Sequence, residues 1–387
     1  MNRGTIFPWK AGNRFELLVD GPQFFPAMLA AIDQAEQRVA LELYLAEDGR
    51  CSAALVTALC AAAQRGVEVC CLFDDFGCRG LGPGTRLQLV DAGVQVRFYN
   101  PLRLGHGVSN FFRDHRKILV VDEHCAFVGG TGATDAFWDP LEEQSDWHEV
   151  MVRIEGPLVA HWRIIFDHQW PPSGIGMMPW WPLQRGGLDH LPPSPAVGHG
   201  MGRVAYANTS QYLDIVQSLL RSMLHAKQRV WLATPYFLPS RKVRRFLARA
   251  ASRGVDVRLL LTGRNTDNAP VRFAGQRYYP KLLRAGVRIF EYQPRFLHLK
   301  MVLVDDWVSI GSCNFDHWNL RFNLDANLEA FDPQLTQATS DCFTADFAES
   351  REITLEDWQR RPLLKRFYQR LWGWLDRLVV NLLDRRR

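Results

Sequence analysis

Two stretches far apart in this 387-residue chain carry the same reactive pattern, His115-Arg-Lys117-Ile-Leu-Val-Val-Asp122 and His298-Leu-Lys300-Met-Val-Leu-Val-Asp305. In each, a lysine follows the histidine at +2 and an aspartate at +7, with four apolar residues between. The chain holds only 7 Lys and 11 His, so the repetition is read as chemistry. Side chains alternate along a strand, which puts each His and its Lys on one face and the intervening residue on the other. Two histidines and two lysines brought to one pocket suit a phosphodiester. One imidazole attacks phosphorus and forms a phosphohistidine; the other protonates the departing oxygen and then takes a proton from an incoming alcohol or water. Lys117 and Lys300 hold the non-bridging oxygens and stabilise the charge of the transition state. No metal or cofactor is called for.

A glycine turn follows each motif: Gly129-Gly130-Thr131 in the first, Gly311-Ser312-Cys313-Asn314 in the second. Glycine lets backbone N–H groups approach an anion, and Ser312 and Asn314 add side-chain donors, so Gly130, Thr131, Ser312 and Asn314 are candidate substrate contacts. A reacting histidine also wants a carboxylate on its other nitrogen. Asp122 and Asp305 belong to the motif set, but seven strand residues span over ~20 Å, which suits a scaffold role, anchoring the turn that follows. Beyond the turns stand Glu149 (or Asp146) and Asp325 (or Glu329) as supporting carboxylates.

The elements that must position these residues alternate. A helix is expected from Phe24 to Ala35, a strand over Arg38 to Leu45, a helix capped by Ser52 and running to Gln64, a strand over Val67 to Phe73, a helix over Leu87 to Asp91 and a strand over Val94 to Tyr99. That order is the mark of an α/β layer structure. It returns later: Ala35-Glu-Gln-Arg-Val39 matches Ala226-Lys-Gln-Arg-Val230, Arg65-Gly-Val-Glu-Val69 matches Arg253-Gly-Val-Asp-Val257, and Ala92-Gly-Val-Gln-Val96 matches Ala285-Gly-Val-Arg-Ile289. The chain reads as a duplicated domain: one lobe over 1–170, a linker over 171–203, a second lobe over 204–350 and a tail over 351–387.

Composition bounds the partners. Hydrophobic residues make up 47% and charged residues 22%, a globular balance. Met1 to Lys10 lacks the features of a secretory signal, and no apolar run is long enough to span a bilayer. Eight cysteines form no zinc pattern and read as core in a reducing compartment. Net charge is +5, but residues 358–387 carry nine Arg or Lys against Asp376 and Asp384, which leaves the body at −2. A nuclease would need a basic groove in that body, so nucleic acid is not an expected partner. From Leu363 the tail shows apolar spacings of three and four with basic residues on other faces, either a helix lying on anionic lipid or one docked on the body. The linker, rich in Pro, Gly, Met and Trp, reads as irregular, its apolar side chains entering a lipid interface or covering the seam between lobes.

The paired His-x-Lys-x-x-x-x-Asp motifs with their glycine turns resemble the phospholipase D superfamily. Thr234-Pro-Tyr-Phe-Leu-Pro239, Arg253-Gly-Val-Asp-Val257 and Gly311-Ser-Cys-Asn-Phe-Asp316 are similar to bacterial cardiolipin synthases. The resemblance covers roughly residues 15–332 and 358–362. It implies two homologous lobes of the phospholipase D fold about a pseudo-two-fold axis, with the active site in the seam. It further implies that His115 is the nucleophile and His298 the acid/base, and that a phosphatidyl group passes from one phospholipid, often phosphatidylglycerol, to the hydroxyl of another, with phosphatidylethanolamine a further candidate lipid. The implied setting is peripheral, on the cytoplasmic side of a bacterial inner membrane, since the two N-terminal membrane helices of longer synthases do not appear here. Two residues depart from the family. Gly132 stands where an Asn is usual, with Thr131 or Thr134 as candidate substitutes; and Leu299 is a bulkier outward residue than the usual Ala. Water as acceptor, in a phospholipase or nuclease, is the rival reading. A lobe pair that binds phosphate without turnover is a third, which only Gly132 favours.

Overall fold

Val39, Leu41 and Leu43 face one side of the strand Arg38–Leu43 while Ala40 faces the other, and Val69, Cys71 and Phe73 alternate with Cys70 and Leu72 along Glu68–Asp74. Both faces of these parallel strands are covered, which is why they read as near-continuous apolar runs. The computed structural model describes residues 7–105, 107–170, 195–207, 213–316, 319–362 and 366–375. In lobe one the strands lie in the spatial order Gln95–Tyr99, Glu68–Asp74, Arg38–Leu43, Ile118–Val121, Cys125–Gly129, Val150–Glu155, Lys10–Val19. Lobe two repeats that order as Arg288–Tyr292, Asp256–Thr262, Arg229–Thr234, Met301–Val304, Trp307–Gly311, Asn323–Phe331, Gly200–Ala207, with Ser350–Ile353 added at its outer edge. The two series meet antiparallel where Lys10 pairs with Gly202 and Asn13 with Gly200, closing one sheet across both lobes.

One face of that sheet is packed by a single apolar cluster that runs through both lobes beneath the helices Val159–Gln169 and Pro333–Ala348, with Trp162, Phe166, Phe343 and Phe347 among its members. On the other face each lobe keeps its own cluster, built on helices such as Arg50–Gln64 and Arg241–Ser252. The shared cluster holds the two halves as one body, because separating them would expose its apolar members at about 25 cal/mol per Å².

Several boundaries differ from the sequence reading. The first helix begins at Gly21 rather than Phe24. Ser52 is not the cap of the next helix: Gly49 caps it, and Ser52 sits one turn in, accepting the Gly49 N–H at 3.0 Å. The expected linker over 171–203 is overrun at its end by the strand Gly200–Ala207, whose residues Val204 to Ala207 are buried between neighbouring strands; residues 171–194 lie outside the described residues. Residues 366–375 of the tail are helical, and 363–365 and 376–387 lie outside the described residues.

The motif aspartates hold this framework. Asp122 accepts the backbone N–H groups of Glu36, Gln37 and Arg38 at 2.7–2.8 Å, and Asp305 those of Lys227, Gln228 and Arg229 at 2.9–3.0 Å. Each pins the turn that enters the neighbouring strand, not the turn that follows its own motif. The seven-residue spacing carries them to the far end of the strand from the histidine, and both adopt positive φ there, 49° and 50°. Burial pushes the Asp122 carboxyl up, but the three N–H donors more than reverse this and leave it below its ordinary value. Its contribution to stability is therefore present above the unfolded carboxylate pKa and lost as pH falls through the lowered folded value. Asp122→Asn is expected to lower unfolding stability by about 1–3 kcal/mol at neutral pH, read from the denaturant midpoint, with turnover per folded molecule retained.

Candidate active site

Each histidine sits just ahead of a strand rather than in it. Met301–Val304 and Ile118–Val121 begin one residue after the motif lysines, so His115 to Lys117 and His298 to Lys300 are extended backbone outside the ladder. What fixes them instead comes from the opposite lobe. The strand pair Arg113–Asp114 with Asn323–Leu324 brings His115 N–H to Leu324 O at 3.0 Å, and Phe296–Leu297 with Trp147–His148 brings His298 N–H to His148 O at 2.8 Å. The residue after each of those carbonyls is a carboxylate. Thus His115 Nδ1 lies 3.0 Å from Asp325 Oδ1, and His298 Nδ1 lies 2.6 Å from Glu149 Oε2. Both pairs are buried and both cross the seam.

The two carboxylates are completed differently. Asp325 Oδ1 also accepts from Ser312 Oγ at 2.7 Å, whereas Glu149 Oε2 lies 3.1 Å from Lys300 Nζ. Gly130 occupies the place of Ser312, and a Cβ there would fall 2.0 Å from Glu149 Oε2. Gly130 is thus required by the longer glutamate, and Ser312 is matched to the shorter aspartate. Lys300 Nζ is 2.8 and 3.1 Å from the two His298 ring nitrogens; with the Nδ1 proton committed to Glu149, Lys300 donates to that carboxylate and to the His298 carbonyl, and the Nε2 lone pair is within its reach. Lys117 Nζ donates to the His115 carbonyl and lies 5.0 Å from the Tyr44 ring centroid, and that ring stands edge-on to His115 at 4.8 Å. Asn314 is buried, and its Oδ1 has no hydrogen-bond partner among the described residues. Thr131 Oγ1 donates to Gly132 O at 3.1 Å. At Gly132 an added Cβ meets Leu45 O at 2.9 Å and Phe137 at 3.1 Å, so the position has no room for a longer side chain. Phe137 instead presents its ring to His298 at 5.3 Å, alongside Trp147 at 5.1 Å and Phe296 at 5.7 Å.

Burial and the facing lysines set the protonation states. Burial, then Lys117, push the His115 imidazole down to about 4 against the pull of Asp325. Burial, then Lys300, push His298 down to about 3 despite Glu149. Lys117 is lowered to about 7 by burial and by Lys300, and Lys300 is lowered as well, chiefly by burial. Burial raises the Glu149 carboxyl, but Lys300 and His298 outweigh it and hold it below its ordinary value. Both imidazoles are therefore neutral near pH 7, with the proton on Nδ1 and a lone pair on Nε2, that of His298 lying 3.1 Å from Lys300 Nζ.

Of the alternatives left open by sequence, Asp146 is exposed and Glu329 is paired with Arg203 at 2.7 Å. Leu299 is not outward-facing: like Arg116, it is fully buried. Arg116 lies 2.7 Å from both Asp114 and Glu42, an ion cluster under the first motif that sequence reasoning missed. It also missed Asp20, Arg295 and Asp346 around His148. The signal for the first was a charged residue at the inward-turning middle position of His-Arg-Lys. None marked the second beyond the polar string Asp146-Trp-His-Glu149.

Two α/β lobes closing one site with a His/Lys pair from each define a protein of the phospholipase D class. The family model described as cardiolipin synthase, PLD-like domain, matches residues 28–170 and 219–347, and the chain belongs to that family. Cardiolipin synthase B of Salmonella typhimurium is 34% identical over 336 residues, 86% of this chain and 80% of that protein. Cardiolipin synthase A of Pseudomonas putida W619 is 35% identical over 361 residues, 90% of this chain and 72% of that protein. Among solved structures, phosphatidylserine synthase of Haemophilus influenzae shares the fold at a TM-score of 0.71 and 13% identity, covering 96% of this chain and 94% of that one.

The contact at Gly130 gives a direct test of the Glu149 geometry. Gly130→Ala must displace the carboxylate from His298, and turnover is expected to fall by about tenfold or more, measured on the purified protein with its phospholipid substrate. Ser312→Ala, which removes only one hydrogen bond from Asp325, is expected to cost less.

Proposed function

We propose that this chain is a phosphatidyltransferase that makes cardiolipin, taking the phosphatidyl group of phosphatidylglycerol and passing it to the hydroxyl of a second lipid through a phosphohistidine. The observation that carries the reading is the crossed pair of imidazole–carboxylate contacts, which leaves a neutral Nε2 on each side of one seam. His115 Nε2 attacks phosphorus while its Nδ1–H stays hydrogen-bonded to Asp325, whose carboxylate stabilises the positive charge that develops on the ring. The P–O bond to the departing glycerol breaks, and His298, which takes a second proton on Nε2 when the anionic diester is bound, supplies the proton for the leaving oxygen. The acceptor hydroxyl then gives its proton back to His298 Nε2, its oxygen attacks phosphorus, and the P–N bond to His115 breaks.

The low pKa of His298 fits this acid role once substrate charge is counted. Burial first and the lysines second depress both histidines; a diester anion seated between Lys117 and Lys300 offsets the lysines' share, and so favours an imidazolium at His298 when substrate is bound. The assignment of His115 as nucleophile follows the family resemblance. Phe137, Trp147 and Phe296 pack their rings against His298, and these apolar surroundings favour an alcohol acceptor held by its own lipid over bulk water. Phosphatidylethanolamine is a second candidate substrate. The setting is a peripheral one on the cytoplasmic side of a bacterial inner membrane. No helix among the described residues is long and apolar enough to cross a membrane, and the helical stretch 366–375 exposes Phe367, Leu371 and Trp374 on one side, the composition of an interfacial helix.

Purified protein incubated with phosphatidylglycerol vesicles is expected to yield cardiolipin and glycerol on lipid separation, and a radiolabelled donor is expected to leave phosphoenzyme on the wild type and none on His115→Ala. Phosphatidic acid without cardiolipin would reject transfer in favour of hydrolysis.

A further inference from the structure

The two histidine–carboxylate pairs are related by the lobe symmetry, but what lies behind them is not. His115 donates its N–H to Leu324 O and His298 to His148 O, which makes Leu324 and His148 counterparts. Leu324 is part of the shared apolar cluster. His148 carries an ionisable ring into the same interior and is 3% exposed. Its Nδ1 lies 2.8 Å from Asp20 Oδ1 in lobe one, and its Nε2 lies 3.0 Å from Asp346 Oδ1 on the helix Pro333–Ala348 in lobe two. With a carboxylate on each nitrogen, both nitrogens carry protons and the ring is an imidazolium.

The surroundings are balanced for that charge. Arg295 pairs with Asp20 and comes within 3.3 Å of His148 Nδ1. Tyr292 stacks on the ring at 5.2 Å and 21°, and its hydroxyl donates to Glu349. Cys342, one helical turn before Asp346, completes the shell. Burial opposes the imidazolium, and Asp20 and Asp346 outweigh it, holding the His148 pKa well above its ordinary value. His148, Cys342 and Asp346 each bring one ligand-type atom within 4.8 Å of the others, but a cation bound to the ring there would have to expel a proton that the ring donates to a carboxylate, Asp20 on one nitrogen or Asp346 on the other.

This network reaches Glu149 through the main chain. Asp20 Oδ1 accepts the Glu149 N–H at 3.1 Å, and Asp20 N–H donates to Glu149 O at 2.8 Å. The carboxylate that holds His298 is thus clamped on both sides by the residue that His148 ties to lobe two. We propose that His148 is a positioning residue: by bridging Asp20 and Asp346 across the lobes it sets where Glu149 holds His298, and so controls proton delivery to the leaving oxygen without acting on the His115–Asp325 pair. The inference rests on the reading of His298 as the acid.

The test separates P–O cleavage that needs an acid from cleavage that does not. Glycerol leaving phosphatidylglycerol requires a proton, whereas 4-nitrophenolate leaving phosphatidyl-4-nitrophenol does not. Rapid-quench burst phases with the two substrates report phosphoenzyme formation per active site. Asp346→Asn and His148→Gln are each expected to slow the glycerol burst by about tenfold more than the nitrophenolate burst, with His298→Ala showing the same selectivity more strongly. Misfolded molecules lower the burst amplitude and leave the ratio of rates intact, so a partly unstable variant still gives an answer. Equal slowing of both bursts, or no slowing, in Asp346→Asn and His148→Gln while His298→Ala stays selective would overturn the positioning role alone. Loss of selectivity in His298→Ala would overturn the acid assignment beneath it.

Discussion

A buried imidazole that reacts through one nitrogen needs a carboxylate on the other, and neither lobe supplies that group to its own histidine. Asp325 in the second lobe serves His115 in the first, and Glu149 in the first serves His298 in the second. The consequence is structural before it is chemical. The strands that directly follow Glu149 and contain Asp325, Val150–Glu155 and Asn323–Phe331, must lie near the middle of the sheet, where the lobes meet through Lys10–Val19 and Gly200–Ala207. The apolar cluster common to both halves keeps the seam closed, and without that closure neither histidine has its partner.

The symmetry is good enough to build the site and broken enough to divide its labour. Ser312 supports Asp325, while Lys300 supports Glu149 and Gly130 makes room for it. One histidine therefore rests on a carboxylate hydrogen-bonded by a hydroxyl, and the other on a carboxylate that shares a cation. Under the proposed chemistry the first arrangement suits a nucleophile whose ring becomes positively charged. The second keeps a proton donor depressed until an anionic diester arrives to offset the lysines. Gly132 belongs to the same asymmetry: Leu45 and Phe137 crowd the space that a side chain there would take, and Phe137 also packs against His298.

The alternation of helices and strands, the duplication and the paired His/Lys motifs were all legible in the sequence, because each rests on local period or on repetition. Glu149 and Asp325 were nameable as carboxylates beyond a glycine turn. Their crossing was not, since it depends on which strands meet at the seam, and a repeat says that two units exist without saying how they face. Asp122 and Asp305 could be set aside from the chemistry by strand length alone. What they bind, the turn entering the neighbouring strand, follows from sheet order. Arg116 and His148 escaped for a common reason: charged side chains are read as solvent-facing unless partners are visible, and theirs lie from two to about two hundred residues away along the chain.

The protonation state of the two histidines tests the crossed-pair account most directly. In ¹⁵N spectra of histidine-labelled protein, assigned with His115→Ala and His298→Ala, both rings are expected to be neutral at pH 7 with the proton on Nδ1, and to remain so until the pH falls toward about 4 for His115 and about 3 for His298. Imidazolium signals for these residues at pH 7, or neutral rings with the proton on Nε2, would contradict it.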